Sequence, residues 1–284
     1  MSAPTNGRLA GVIGWPVHHS LSPLMHSYWL RQHGIVGAYV PLPIAPENFA
    51  RCVGAMPLMG FAGASITVPH KEAAFALSAT LDEDARATGA VNTLLFADGF
   101  VHGRNTDVSG FAASLAEQIG TEAARRGPAV VLGAGGAARA IVVALARAGA
   151  GEIRLINRTK DRAETLARSL AGIANVRPIA WGNWTDAFAG AKLLVNTTSL
   201  GMMGKDPLDV PLAALPGDSA VADIVYNPLE TALLKAAHAR GLKTMDGLGM
   251  LMHQAVPAFA AWFGMTPKVT PELRDILVKA LYRA

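Results

Sequence analysis

The chain has 284 residues, of which 51% are hydrophobic and only 16% charged, so it can bury a sizeable core and does not have the composition of a disordered chain. A net charge of +4, with no basic tract and no aromatics interleaved with one, argues against nucleic acid as a partner and suits anionic small molecules. The single cysteine, Cys52, excludes an intrachain disulfide and a cysteine-built metal site; an opening without a signal-peptide pattern, and apolar runs broken by Arg139, Arg147 or glycine, lead to the expectation of a cytoplasmic protein with neither secretory leader nor membrane span.

In chain order, Leu9–Ile13 reads as a first strand closed by Gly14. Ser22-Pro23 then reads as a helix start, with Ser22 as cap and Pro23 at the first helical position, and the helix runs to Gly34. Residues 38–42 predict a strand, 46–59 a helix, 61–67 a strand and 69–88 helices. Residues 90–96 and 100–102 flank Asp98-Gly99, a hairpin signal. A connecting helix follows at 108–119. Further strands are predicted at 176–180, 193–196 and 221–226, a helix at 231–240 and a last strand near Thr244. From Gly247 the pattern is helical to the end, with a break at 264–267. Strands alternating with helices predict an α/β fold with parallel sheets in two lobes. The expected division is 1–107, 108–246 and a C-terminal helical segment, 247–284, returning to the first lobe, with a ligand in the cleft where strand ends converge.

The most informative stretch is 129–162. An apolar run stops at Gly133-Ala134-Gly135-Gly136-Ala137, a helical pattern follows, and a second apolar run ends at Asn157-Arg158-Thr159, with Arg162 close behind. Strand, glycine turn and helix form the Rossmann-type unit that receives a dinucleotide pyrophosphate. An NAD-selective site usually carries an acidic residue at the end of the second strand; here Asn157, Arg158, Thr159 and Arg162 cluster instead. A guanidinium suits a 2′-phosphate, so the stretch predicts NADP.

Four segments of the first lobe are polar where a core would be apolar: residues 19–22, 65–71, 90–93 and 105–107. Ser20, Ser22, Ser65, Thr67, Asn92 and Asp107 offer hydroxyls, an amide and a carboxylate, and Lys71 an ammonium. That set matches a small ligand bearing hydroxyls and a carboxylate. Plainer readings stand beside these: Ser22 as a helix cap alone, Thr67 as a strand residue, Asn105 and Asp107 as turn or cap residues, and Lys71 as a solvated surface lysine. His18, His19, His26 and His70 form no metal-binding spacing, so no metal is expected.

Taken together, these residues resemble the shikimate dehydrogenase family, whose members reduce 3-dehydroshikimate with NADPH. The resemblance covers nearly the whole chain. It is carried by the opening motif 14–23 (GWPVHHSLSP), by ITVPHKE at 66–72, GAVNT at 89–93, NTD at 105–107, the glycine turn, Asn157-Arg158-Thr159, and DGLGML at 246–251 with Gln254. It implies that Ser20 and Ser22 bind the substrate carboxylate. Thr67, Asn92, Asp107 and Gln254 would contact ring hydroxyls, and Tyr226 would lie against the substrate. It also implies Lys71 and Asp107 as catalytic pair, residues 133–137 at the pyrophosphate, and Ile224 and Gly247 flanking the nicotinamide. A lysine side chain carries its proton at neutral pH and can donate it to the oxygen reduced by hydride, which makes Lys71 the expected acid.

Two residues depart from the family's usual pattern: Ser65 where many members have Asn, and Val108 where many have Gly. Both fall near the substrate segments, so quinate- or aminoshikimate-type substrates stay open as alternatives. A non-catalytic NADP-binding regulator is the alternative of another class, against which the presence of both Lys71 and Asp107 argues. The expected oligomeric state is a monomer or homodimer.

Overall fold

The computed structural model describes residues 8–282, and they form two compact units. The first comprises the described residues up to Thr106 together with those from Gln254 onward, and the second is Asp107–His253. The second dividing point falls inside a helix, α11 (Gly247–Phe263). The sequence-based boundary at 247 therefore precedes it, because a continuous helix gives no sequence signal where its packing partner changes.

The first unit is built on a six-stranded sheet: β1 (Arg8–Gly14), β2 (Gly37–Pro43), β3 (Phe61–Ile66), β4 (Thr80–Leu81), β5 (Thr93–Ala97) and β6 (Phe100–Arg104), in the order β2-β1-β3-β5-β6-β4. The sequence predicts parallel strands with one hairpin at Asp98-Gly99, and the sheet is mixed. β5 runs antiparallel to both β3 and β6. The reason is local: Asp98 (φ 53°) and Gly99 (φ 77°) are both left-handed, the backbone of a tight hairpin whose twist matches its strands. One face of the sheet covers Phe49, Val53, Met56, Ala74 and Ala85, packed on Ile13, Ile66 and Leu94. α1 (Ser22–Gln32) and α12 (Pro271–Leu281) meet through Tyr28 Oη, which donates to Glu272 at 3.0 Å, and Trp29 Nε1 donates to the Lys268 carbonyl at 3.2 Å. The predicted helix at 46–59 is broken, and the helices predicted over 69–88 are separated by a short strand. Residues 46–59 hold only α2 (Phe49–Ala55) between two short 3-10 turns. Residues 69–88 hold α3 (Lys71–Leu77) and α4 (Glu83–Thr88), separated by β4.

The second unit is wholly parallel. β7 (Ala129–Leu132), β8 (Ile153–Asn157), β9 (Val176–Ala180), β10 (Leu193–Asn196), β11 (Ala220–Asp223) and β12 (Lys243–Met245) lie in the order β12-β11-β10-β7-β8-β9. β7, β10 and β11 are buried along their full length, as strands covered on both faces must be. The strand order reverses between β7 and β10, the switch point at which such sheets open a crevice at their carboxyl ends. The helices are α5 (Asp107–Gln118), α6 (Glu122–Arg125), α7 (Gly136–Arg147), α8 (Lys160–Ser169), α9 (Trp184–Phe188) and α10 (Ala232–Ala239). β11 ends at Asp223 rather than running to Tyr226 as predicted, because the Asp223 carboxylate turns back to accept the Val225 N–H at 3.0 Å.

Candidate functional site

In the first unit, strand pairing brings the four polar segments to one edge of the sheet. β1 and β3 are parallel, so the segments that follow them leave side by side, with Thr67 N–H donating to the Ile13 carbonyl at 2.9 Å. Because β5 is antiparallel to β3, its start lies at the same edge, where Ile66 N–H donates to the Asn92 carbonyl at 2.7 Å. The end of β6 returns there too, since Asn92 N–H donates to the Arg104 carbonyl at 3.0 Å. Ser20, Ser22, Ser65, Thr67, Lys71, Asn92 and Thr106 therefore share one rim.

Ser22 is not the helix cap that the sequence suggested. It is the first residue of α1, and Leu21 precedes it in helical backbone without a side-chain cap. Ser20 satisfies the exposed amide instead, its Oγ accepting the Ser22 N–H at 3.2 Å. Two hydroxyls and the N-terminus of an 11-residue helix thus converge, an arrangement that favours an anion.

Lys71 opens α3. Its neighbour His70 is buried at 2% exposure, stacks on Phe49 with centroids 4.6 Å apart, and places Nε2 2.8 Å from the Ile44 carbonyl, so that nitrogen carries the proton. Lys71's own carbonyl accepts the Val91 N–H at 3.0 Å, which ties the start of α3 to the Asn92 segment. Asn92, 2% exposed, is held by its neighbours. Its Oδ1 accepts the Thr106 N–H at 2.8 Å and the Thr93 hydroxyl at 3.1 Å; its Nδ2 donates to Thr106 Oγ1 at 2.9 Å and Gln254 Oε1 at 3.3 Å. Asn92, Thr106 and Gln254 therefore form one preorganised cluster, in which Thr106 is a member that sequence reasoning left without a role. Asn105 is spent internally, donating to Thr88 Oγ1 and the Ala90 carbonyl, each at 2.9 Å. This supports the plain structural reading for Asn105.

In the second unit, all the strands deliver their carboxyl ends to one edge. Gly133 follows β7 in left-handed backbone (φ 105°), and a Cβ there would stand 2.6 Å from Thr197 Oγ1. Only glycine fits, both for conformation and for the close approach of the β10 loop. At Gly135, by contrast, a Cβ would meet nothing within 4 Å. That open space lies at the N-terminus of α7, a 12-residue helix, and so fits a pyrophosphate group. Asn157 ends β8 and donates to the Thr159 carbonyl at 2.8 Å, while Arg158, Thr159 and Arg162 are exposed beside it. Ile224 and Tyr226 follow β11. Gly247 opens α11, where a Cβ would collide with the Ile224 carbonyl.

Sequence reasoning missed the network that fixes these loops. Asp223 is fully buried; its carboxylate accepts from Asn196 Nδ2 at 2.9 Å, Val225 N–H at 3.0 Å and the Thr231 hydroxyl at 2.8 Å. Asn196 Oδ1 in turn accepts the Thr198 N–H at 3.0 Å and hydroxyl at 2.8 Å. Burial pushes the Asp223 carboxyl up to about 6 against these hydrogen bonds. The available signal was polar residues, Asn196-Thr197-Thr198, continuing directly from an apolar strand. Asp107, first residue of α5, is 6% exposed. Among the described residues no His/Cys/Asp/Glu group could hold a metal ion, and no helix is long and apolar enough to cross a membrane.

Comparison with known proteins agrees with this arrangement. A family model described as the shikimate dehydrogenase substrate binding domain matches residues 12–94, and one described as shikimate / quinate 5-dehydrogenase matches residues 114–199. The chain is 56% identical over 272 residues to the protein of Paramagnetospirillum magneticum named shikimate dehydrogenase (NADP(+)), covering 95% of this chain and 98% of that one. Among solved structures, shikimate 5-dehydrogenase from Thermus thermophilus in complex with NADP(H) and shikimate is 36% identical, with a TM-score of 0.85 and coverage of 96% and 99%. Quinate dehydrogenase from Corynebacterium glutamicum in complex with NAD is 33% identical, with a TM-score of 0.88 and coverage of 96% and 99%. With both family models in chain order and this identity along nearly its whole length, the chain belongs to the shikimate dehydrogenase family.

Proposed function

We propose that the chain catalyses the reversible NADP-dependent reduction of 3-dehydroshikimate to shikimate, with Lys71 and Asp107 as the acid–base pair. The observation that carries the reading is the shared rim of the first unit. An anion seat of Ser20, Ser22 and a helix N-terminus, the amide cluster of Asn92, Thr106 and Gln254, and the anchored Lys71 all lie along one sheet edge.

The residues take their roles from chemistry. Ser20 and Ser22 seat the substrate carboxylate, with Ser65 beside them. Thr67, Asn92 and Gln254 bond ring hydroxyls, and Tyr226 lies against the substrate. Lys71 gives its proton to the oxygen that was the ketone and stabilises the charge that develops there. Asp107 orients that ammonium and accepts from a substrate hydroxyl. Gly133 to Ala137 hold the pyrophosphate, Asn157, Arg158, Thr159 and Arg162 the adenosine phosphate, and Ile224 and Gly247 flank the nicotinamide. The nicotinamide, when bound, supplies the hydride or takes it back. Aromatic amino acid biosynthesis in the cytoplasm, as a monomer or homodimer, is the setting we propose.

The test is loss of NADPH absorbance with 3-dehydroshikimate. A non-catalytic regulator would bind the nucleotide and show no rate, and that result would overturn the proposal. The arginines give a second check. Arg158→Ala is expected to raise KM for NADP about tenfold, the size of one charge-assisted hydrogen bond, and to leave KM for NAD near wild type. An equal rise for both nucleotides in steady-state kinetics would remove Arg158 from 2′-phosphate recognition.

A further inference from the structure

Ser65, the position that departs from the family's usual asparagine, has a partner that the sequence did not show. Tyr39 on β2 and Ser65 on β3 flank β1 from opposite sides, and Tyr39 Oη donates to Ser65 Oγ at 2.8 Å, with the residues 4% and 8% exposed. The Ser22 side chain, at the start of α1, lies beside the same phenol. The Tyr39 ring is immobilised from behind. His26 lies flat on it, with centroids 3.9 Å apart and planes 3° apart, and Trp262 and Phe259 pack on His26 in turn. Neither ring nitrogen of His26 has a hydrogen-bond partner among the described residues. Burial pushes its imidazole down to about 3, so it serves as a neutral plate.

We infer that Tyr39 is a positioning residue. Held by His26, its phenol donates to Ser65 Oγ and so fixes the direction in which the Ser65 hydroxyl donates at the carboxylate seat, which sharpens the choice between shikimate-type and quinate-type acids. The inference rests on the reading that Ser22 seats the substrate carboxylate. In a shikimate-type acid the carboxylate is conjugated with a ring double bond and lies near the ring plane. In a quinate-type acid it stands on a tetrahedral carbon beside an extra hydroxyl. Hydroxyls with fixed donor directions favour one carboxylate orientation, whereas freely rotating ones accept either. Serine alone offers one hydroxyl where asparagine offers an amide, and the phenol orients that hydroxyl.

The experiment measures KM and kcat for shikimate and quinate in wild type, Tyr39→Phe, Ser65→Ala and the double variant, with melting temperatures alongside. Each single variant is expected to raise KM for shikimate about fivefold, the worth of one neutral hydrogen bond, with kcat within about twofold. The shikimate-to-quinate ratio of kcat/KM is expected to fall, and the double variant to be no worse than either single one. An unchanged KM, effects that multiply in the double variant, or a lower melting temperature with an unchanged ratio would overturn it. If Tyr39→Phe fails to fold, Ser65→Ala removes the same bond and carries the test. Ser22→Ala separates the two levels. If it leaves KM unchanged, the carboxylate seat itself falls; if it raises KM while Tyr39→Phe and Ser65→Ala do not, only the role of Tyr39 falls.

Discussion

Replacing Lys71 with alanine is expected to lower kcat for shikimate oxidation by about 10³-fold, within the range that a positioned general acid–base contributes, while the dissociation constant for NADP stays at its wild-type value. The structure gives the reason for both halves. Lys71 stands on the rim of the first unit, at the first turn of α3, and His70 holds that turn by stacking on Phe49 and bonding the Ile44 carbonyl. The glycine turn and the arginines that would hold the nucleotide belong to the second unit. Melting temperatures measured alongside separate a loss of turnover from a loss of fold. Stopped-flow turnover together with nucleotide titration distinguishes this outcome from a binding defect. A variant that keeps more than about a tenth of wild-type kcat would take the proton transfer away from Lys71.

Asp223→Ala should be the most destabilising single change at the nucleotide edge. It leaves the Asn196 amide, the Val225 N–H and the Thr231 hydroxyl without their acceptor in a fully buried position. Each orphaned group costs about 1–3 kcal/mol, about 3–9 kcal/mol in all, so a melting temperature lower by at least about 6 °C is expected. Asp223→Asn behaves differently because an amide oxygen still accepts from Asn196 and Val225. The difference between wild type and this variant should depend on pH. The folded carboxyl titrates near 6 while the ordinary value is 3.8, so the folded state holds the extra proton between those limits. Stability from this group is therefore greatest below about 4, falls as pH rises to about 6, and is lower above that by an amount on the order of 2–3 kcal/mol. Thermal melts across that window should show wild type losing stability with rising pH relative to Asp223→Asn. Parallel curves would mean that Asp223 is not held in this environment.

Much of this was legible from the chain, and the reasons are physical. Gly133 and the Asp98-Gly99 turn were readable because a left-handed backbone restricts the residue type at one position, and restriction is information. The strands 129–132 and 193–196 appeared at their observed limits because each is a compact, almost wholly apolar run. What escaped depended on partners distant in sequence. Ser20 rather than Ser22 satisfies the amide of α1, since the turn before the helix is already wound. The antiparallel course of β5 required knowing which strand it meets, although the hairpin signal contained half the answer. α8 was missed because half of Lys160–Ser169 is charged and its apolar face is only Ala163, Leu166 and Ala167. Tyr39, like Asn196 and Asp223, is ordinary in sequence and becomes informative only when strand order sets it beside its partner.

The central claim is tested most directly by kcat/KM for shikimate and quinate, each measured with NADP and with NAD. Shikimate with NADP is expected to exceed every other pairing by at least about tenfold. That is the worth of one charge-assisted hydrogen bond, which NAD cannot make without its 2′-phosphate, or of one carboxylate orientation, which quinate does not present. Quinate with NAD as the preferred pair, or no turnover with any pair, would contradict it.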